Sequence, residues 1–197
     1  MKHGVVLVAV ALAIGGCAGQ AGPGSPGSPG GGVETAGCRY ATSPPAMEID
    51  GTPQPANQEA LGVLADRLRT QVEQPFAEVF AGLAMEQERN RVVVYRVPSA
   101  ALDKLVMDQF AADCVELRDA AHSAGELTAL ANKITDDMSY WRGLGIEINM
   151  VGASYDGSGV EVGVTGAHLE KAKVELPKRY GAGAPIIVVE AGPITTS

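Results

Sequence analysis

Serine, histidine and cysteine are the residues with which this chain could do nucleophilic or metal chemistry. A hydrolase serine needs a base in reach and a sharp turn such as Gly-x-Ser-x-Gly, but Ser154 and Ser158 fall in a turn-like, glycine-containing stretch without that pattern. Only His122 and His168 follow the first three residues, and no Cys-x-x-Cys occurs. Because the serines lack the hydrolase pattern, we expect no catalytic residues. Because a zinc site would have too few ligands, we also expect no metal site.

Glycine and aspartate patterns predict no cofactor site. Gly143-Leu144-Gly145 and Gly181-Ala182-Gly183 lack the remaining spacing of a dinucleotide fingerprint, and no phosphate loop with Gly-Lys-Ser/Thr occurs. The spacing of the aspartates matches no calcium loop and favours solvated helix faces instead: Asp103, Asp108, Asp113, Asp136 and Asp137. Tyr140-Trp141 holds the single tryptophan, which is typical of a core anchor.

Cys17 follows a segment with the layout of a bacterial secretion signal. Met1-Lys2-His3 gives a basic start, residues 4–14 form an apolar core, and Ile14-Gly15-Gly16 fits a cleavage pocket directly before the cysteine. An apolar run of about 11 residues is too short for a transmembrane helix, which takes roughly 20. We therefore expect residues 1–16 to be a signal peptide that is removed.

The pattern Ile14-Gly15-Gly16-Cys17 resembles the lipobox of bacterial lipoproteins, with Gly15 where Ala or Ser is found. The resemblance implies that Cys17 is the lipid attachment residue, modified with diacylglycerol and palmitate after cleavage. It also implies a protein anchored by lipid to the outer face of the cell membrane, so that the membrane is its first partner. The alternative is a plain signal peptide cut nearby, with Cys17 incidental.

Cys38 and Cys114 are left as an even pair if Cys17 carries lipid. Disulfides persist in the oxidising compartment outside the cell, and Cys38-Cys114 is then the one intrachain choice. Such a bond would tie the N-terminal segment to the folded body and close a long loop, worth about 3–5 kcal/mol in the chain-entropy description. Two unpaired buried thiols are the alternative.

The composition argues against nucleic-acid binding. The chain has 15 basic and 23 acidic residues, a formal charge of -8, and 5% aromatic residues. A phosphate-binding face needs clustered Lys and Arg, which are scattered here, and base stacking needs aromatic side chains. The acidic character would also repel an anionic membrane surface, so attachment depends on lipid.

The chain divides by composition into a tether and a body. Residues 19–32 are a Gly, Pro and Ser tract without a large apolar side chain, which is typical of a flexible linker. We expect the lipid-linked tether to span residues 17–56 and an α+β body to span 57–197, starting near Asn57. Within the body we expect lobes at about 57–120 and 121–192 and a short C-terminal tail.

Each predicted lobe has the same order of elements, helix, hairpin, helix, strand. The first has an amphipathic helix over 57–74, with strands at 78–85 and 91–97, a helix capped by Ser99 and a strand at 114–117. The second has a helix after the capping box at Ser123, strands at 146–153 and 160–164, a helix from Thr165 or Gly166 that Pro177 interrupts or ends, and a buried strand at 185–190.

The two lobes therefore predict an internal duplication. The segments RVVVYRVPSAALDKL and GVEVGVTGAHLEKAK fall at matching places about 68 residues apart. We predict an α+β fold of two αββαβ-like lobes, with helices packed on small antiparallel sheets. Coincidence is the alternative, because such element orders recur in many α+β domains.

Residues from about Phe76 to Pro193 resemble the pro-regions of secreted serine proteases of the streptogrisin and α-lytic type. The likeness rests on FAGLAMEQERNRVVVYRVPSAALDKL, on DAAHSAGELTALANKI between the lobes, and on the final hairpin, helix and strand ending in PIIVVEAGP. It implies a body that helps a protease fold and then inhibits it, with its C-terminal sheet extended by a protease hairpin and its tail in the active-site cleft.

The resemblance puts the surfaces of interest on the edge strands of residues 146–190 and on the tail Ala191–Ser197. We expect no protease domain after Ser197 and no catalytic triad, so that action would be in trans on a separate protease. We therefore expect a noncatalytic, protein-binding lipoprotein that acts as inhibitor or folding helper of a secreted serine protease or binds another envelope protein. The alternative is a structural envelope lipoprotein that contacts the cell wall or a membrane complex.

Overall fold

The computed structural model describes residues 32–192. It contains nine strands, five α-helices and three short 3-10 helices within that range: β1 Val33–Glu34, β2 Ala46–Ile49, β3 Thr52–Pro55, α1 Gln58–Val72, β4 Phe80–Glu86, β5 Arg91–Arg96, α2 Ala100–Gln109, β6 Val115–Asp119, α3 Ala124–Asp136, α4 Met138–Gly143, β7 Ile148–Ala153, β8 Val160–Val164, α5 Leu169–Tyr180 and β9 Ile186–Glu190, with 3-10 turns at Ala36–Tyr40, Gln87–Arg89 and Gly166–His168.

The α+β architecture predicted from the sequence is confirmed. In the first lobe α1, β4, β5, α2 and β6 follow one another, and in the second lobe α3, β7, β8, α5 and β9 do the same, with α4 as an addition. Both hairpins, β4-β5 and β7-β8, are antiparallel, and both last strands, β6 and β9, run parallel to the middle strand of their lobe. The sheet of each lobe is therefore mixed and not purely antiparallel as predicted, whereas β2 and β3 form a separate antiparallel pair.

Each lobe has its own hydrophobic core between its helices and one face of its sheet. The α1 stripe that the sequence predicts is buried in the first core with the inward side of β5 and β6, and residues of α3 and α5 cover β8 in the second. Trp141 on α4 is fully buried in the second core, which confirms its interpretation as a core anchor. The Ser99 and Ser123 hydroxyls accept hydrogen bonds from the amides of Leu102 and Glu126, as predicted for helix caps.

The folded unit begins earlier than the predicted start at Asn57. β1 pairs antiparallel with β6, Val33 opposite Leu117 and Glu34 opposite Glu116, and β2 and β3 form a separate hairpin before α1. The prediction was wrong here because two-residue β1 is too short to show any periodicity. Its pairing partner lies some 80 residues away along the chain.

Three smaller predictions are corrected by the structure. β9 is a half-buried edge strand and not a buried one, because β8 pairs with it on one side only within the described range. Pro177 lies inside α5, which continues to Tyr180. The strand predicted at residues 78–85 runs from Phe80 to Glu86 and contains a bulge between Phe80 and Gly82.

Candidate functional site

The β9 edge, meaning the outward backbone of Ile186–Glu190, is the candidate binding site. The first sheet has the order β1-β6-β5-β4 and the second β7-β8-β9. Within residues 32–192 no strand pairs with β9 on the side away from β8, whereas β1 covers the corresponding side of β6. An uncovered edge presents backbone donors and acceptors to a further strand.

The backbone groups at the β9 edge follow from the ladder with β8. Val160 donates its N–H to the Pro185 carbonyl at 2.7 Å, and Ala191 donates to the Val164 carbonyl at 2.8 Å. The backbone N–H and C=O groups of the odd-numbered residues of β9 point toward β8. Those of the even-numbered residues Val188 and Glu190 therefore point outward, away from β8. Ile186 donates its N–H to the Ala184 carbonyl at 2.8 Å, so that within residues 32–192 the amides of Val188 and Glu190 are the outward ones without a strand partner.

One face of the second sheet, which we call the far face, points away from α3 and α5. It carries Met150 and Ile187, which are 41% and 37% exposed, and the half-buried Val189. Between them lie two positions without side chains and one acidic residue, namely Gly152, Gly163 and Glu161. The far face therefore offers apolar side chains beside the β9 edge, a combination typical of protein-binding surfaces.

The start of the C-terminal tail is held beside the far face. Asn149 donates its side-chain amide to the carbonyls of Ala191 and Gly192 at 3.2 and 3.3 Å. A Cβ at Gly163 would lie 2.7 Å from the Cβ of Ala191, so the missing side chain leaves room for the chain to pass. Residues 193–197 of the predicted tail site lie outside the described range.

The corresponding face of the first sheet is charged and covered. Arg91 is 7% exposed, and its guanidinium contacts Glu34, Glu86 and Glu116 at 2.8, 2.7 and 2.6 Å. Arg118 joins the network through Glu116 and Glu86 at 2.8 and 2.7 Å. Burial acts to raise the pKa of Glu86, but hydrogen bonds from Arg91 and Arg118 outweigh it, so that this pKa lies below its ordinary value.

The second lobe supplies part of that cover. The rings of Tyr95 and Tyr155 meet edge to face with their centroids 5.8 Å apart. The Tyr155 carbonyl lies so close to Gly82 that a Cβ there would overlap it, and a Cβ at Gly157 would lie 2.5 Å from the His122 carbonyl. The β7-β8 turn therefore docks on the first sheet, while the far face of its own sheet keeps apolar groups exposed.

β1 shows how a strand occupies an edge of this kind. Thr35 donates its N–H to the Val115 carbonyl at 2.9 Å, and its hydroxyl donates to the Asp113 carbonyl at 2.6 Å and accepts from the Val115 amide at 2.9 Å. Cys38 forms a disulfide with Cys114, 76 residues away. The predicted pairing of these cysteines is confirmed. It fixes the N-terminal segment covalently to Cys114, the residue directly before β6.

The remaining candidate residues from the sequence have local roles. The His122 Nδ1 lies 3.0 Å from a Glu126 carboxylate oxygen, and the His168 Nδ1 accepts from the Glu147 amide at 3.2 Å. Ser158 donates its N–H to the Asp156 side chain at 3.0 Å, which stabilises the β7-β8 turn. Cys17 lies outside the described range.

Four of the five aspartates interpreted as solvated are ion-paired, namely Asp103, Asp108, Asp113 and Asp137, which corrects that prediction. Asp103 accepts from the buried Arg96 at 2.6 and 3.0 Å, and Asp137 accepts two bonds from Arg179, both at 2.6 Å. For Asp103, the signal that sequence reasoning could have used is Arg96 at the end of a strand with three consecutive valines, since a buried charge requires partners. Nothing in the sequence indicated which carboxylates they are.

Between residues 32 and 192 no helix is both long and apolar enough to cross a membrane. In the same range no group of three or more His, Cys, Asp or Glu side chains is arranged to hold a metal ion.

Comparison with known proteins adds no relative. No model of a known protein family matches this chain, and no curated protein sequence matches it either.

Proposed function

We propose that this protein is a lipoprotein, anchored through Cys17 to the outer face of the cell membrane, with a noncatalytic body that binds another envelope protein. The observation that carries the binding part is the β9 edge, where outward amides lie beside the exposed Ile187. Strand addition at such an edge gives affinity through main-chain hydrogen bonds and specificity through alternate side chains. The lipobox pattern supports the anchor.

A secreted serine protease is the partner class that we propose, with the body acting in trans as inhibitor or folding helper. Two features support it. The sequence from about Phe76 to Pro193 resembles protease pro-regions, and β9 is an edge strand within residues 32–192, at the C-terminal sheet where the resemblance implies that a protease hairpin would add. The tail begins at Gly192, beside the same sheet. A tail that reaches into the active-site cleft of a protease bound at this edge would have to begin there.

The experiment captures partners from bacterial envelope fractions with the acyl-free chain, and measures the same chain against streptogrisin-type proteases. We expect a protease among the captured proteins, and slower cleavage or faster refolding of that protease when the chain is added. Ile187→Lys at the β9 edge should weaken the capture. The matched control is Val174→Lys, because Val174 is 53% exposed on α5 and lies away from the β9 edge.

The outcomes separate the proposed role from its alternative. Capture of cell-wall material or of a membrane complex, without effect on any protease, would show the structural lipoprotein instead. In parallel, cells that express the chain are labelled with radioactive palmitate, and we expect incorporation that Cys17→Ala abolishes. Equal labelling of both chains, or none, would refute the anchor.

A further inference from the structure

The internal duplication provides a template for a strand on the β9 edge. Val92 and Val94 of β5 correspond to Val160 and Val162 of β8, and their partners Val115 and Leu117 on β6 therefore correspond to Ile186 and Val188 on β9. β1 runs antiparallel beside β6, with Val33 opposite Leu117. A strand in the equivalent place would run antiparallel to β9, with one residue opposite Val188.

The side chains beside the two edges differ in chemistry. On the first sheet Glu34 of β1 lies opposite Glu116, and both carboxylates contact the buried Arg91. At the equivalent places on the second sheet stand Ile187 for Glu116 and Gly159 for Arg91, and a Cβ at Gly159 would lie 3.2 Å from the Ile187 side chain. The arginine that pairs with an incoming carboxylate is absent there, and Ile187 has the acidic Glu161 as its partner on β8, so that a second carboxylate is disfavoured.

We propose that the β9 edge selects an extended segment of another protein that runs antiparallel to β9 and carries apolar side chains at alternate positions on the far face. This inference rests on the proposed protein-binding function and specifies the chemistry of its partner. An apolar side chain opposite Ile187 would extend the row formed by Ile187 and Val189, while its main chain would bond the outward amides of Val188 and Glu190.

The same comparison argues against β1 of a second copy as the occupant. Glu34 would then lie against Ile187, where no residue takes the place of Arg91. Moving a carboxylate from water to an apolar surface without a partner costs free energy. In its own chain β1 is also fixed to β6 by the Cys38-Cys114 disulfide.

The test uses the chain from Cys17 to Ser197 with Cys17→Ser, labelled for NMR. The probes are a capped hexapeptide of alternating valine and threonine, the same peptide with glutamate for each valine, and the valine peptide with alternate backbone nitrogens methylated. Binding constants come from amide shifts, and hydrogen exchange is followed at Val188 and Glu190. We expect the valine peptide to bind at least about fivefold more tightly than the glutamate peptide, because three cross-strand pairs change. The valine peptide should also slow hydrogen exchange at the amides of Val188 and Glu190. The methylated peptide should not slow exchange at either amide.

A specificity exchange sharpens the test. Ile187→Lys introduces a cation at the far face, which imitates the role of Arg91 on the first sheet. We expect this variant to bind the valine peptide at least fivefold more weakly and to prefer the glutamate peptide, whereas Val174→Lys leaves both affinities unchanged. The circular dichroism spectrum of each variant checks that the sheet is intact.

Several results would overturn the inference. Equal binding of the valine and glutamate peptides, no binding of any peptide, or amide shifts confined to β7 would each do so. Slow hydrogen exchange at Val188 and Glu190 in the free chain would do so as well, because it would mean that another part of the chain covers these amides. The inference fails alone if a partner is captured from envelope fractions and Ile187→Lys does not weaken that capture. If no protein is captured at all, the proposed function fails as well.

Discussion

The buried arginines of the first lobe show how single residues organise this chain. Arg96 is 4% exposed and contacts Asp103 and Asp119. Burial acts to lower the pKa of Arg96, but hydrogen bonds to the two carboxylates outweigh it, so that the pKa lies above its ordinary value. Removing one partner of such a group leaves an uncompensated charge, and these positions therefore tolerate few substitutions.

Asp137 is the corresponding residue of the second lobe. It follows α3 directly and accepts hydrogen bonds from Arg179 and, at 2.8 Å, from the Tyr180 hydroxyl at the end of α5. The hydrogen bonds from Arg179, with that from Tyr180, lower the Asp137 pKa from an ordinary 3.8 to about 2. The Arg179 guanidinium also stacks 3.8 Å above the Tyr140 ring.

We expect Asp137→Asn to flatten the acid dependence of stability. Because the folded pKa of Asp137 is depressed, its stabilisation is fully present above the ordinary value of 3.8 and is lost as the pH falls through about 2. Urea unfolding at several pH values between 5 and 2 measures the slope. Asp136→Asn, the exposed neighbour, should keep the original slope, and equal slopes for all three chains would contradict the assignment.

At the scale of elements, the two lobes are the same arrangement put to different uses. Both hairpins carry a bulge near their start, between Phe80 and Gly82 and between Ile148 and Met150. After the bulge Gly82 pairs with Tyr95, while Met150 pairs with Gly163. The absent side chain at position 82 admits the Tyr155 carbonyl, whereas the methionine at the equivalent place is exposed on the far face.

Gly82→Ala should weaken the docking of the β7-β8 turn on the first sheet. Because the added Cβ would overlap the Tyr155 carbonyl, we expect a loss of about 1–3 kcal/mol in the free energy of unfolding. Gly62→Ala in α1 is the control, since nothing lies within 4 Å of a Cβ there and alanine favours a helix by about 0.5–1 kcal/mol. Denaturant titration measures both, and a Gly82→Ala chain as stable as the original would refute this packing.

At the scale of the whole molecule, the N-terminal segment belongs to the folded unit. Gly37 donates its N–H to the Ala111 carbonyl at 2.8 Å, and Thr35 is 2% exposed against β6. Residues 33–56, which the sequence predicts to be part of the tether, therefore belong to the folded unit. If Cys17 carries lipid, the body is held closer to the membrane than a tether ending at residue 56 would hold it.

The disulfide should supply much of the stability of this arrangement. The bond closes a loop of 76 residues, and the chain-entropy description gives about 4 kcal/mol for such a loop. We expect a chain with both Cys38→Ser and Cys114→Ser to lose free energy of unfolding of this order, measured by denaturant titration. A reducing agent should lower the stability of the original chain to the same level and leave the double variant unchanged; insensitivity of the original chain would contradict the prediction.

The sequence by itself determined the α+β class, the repeated order of elements and the helix caps at Ser99 and Ser123, and it offered the Cys38-Cys114 pair as one of two alternatives. These features depend on local periodicity, on capping chemistry or on simple counting, all of which a linear chain displays. The tertiary structure alone decided that β1 covers β6, that Arg91 is surrounded by carboxylates and that the β9 edge is uncovered within the described residues. Those facts depend on pairings between segments some 80 residues apart, and no local pattern of side chains encodes which distant strand reaches an edge.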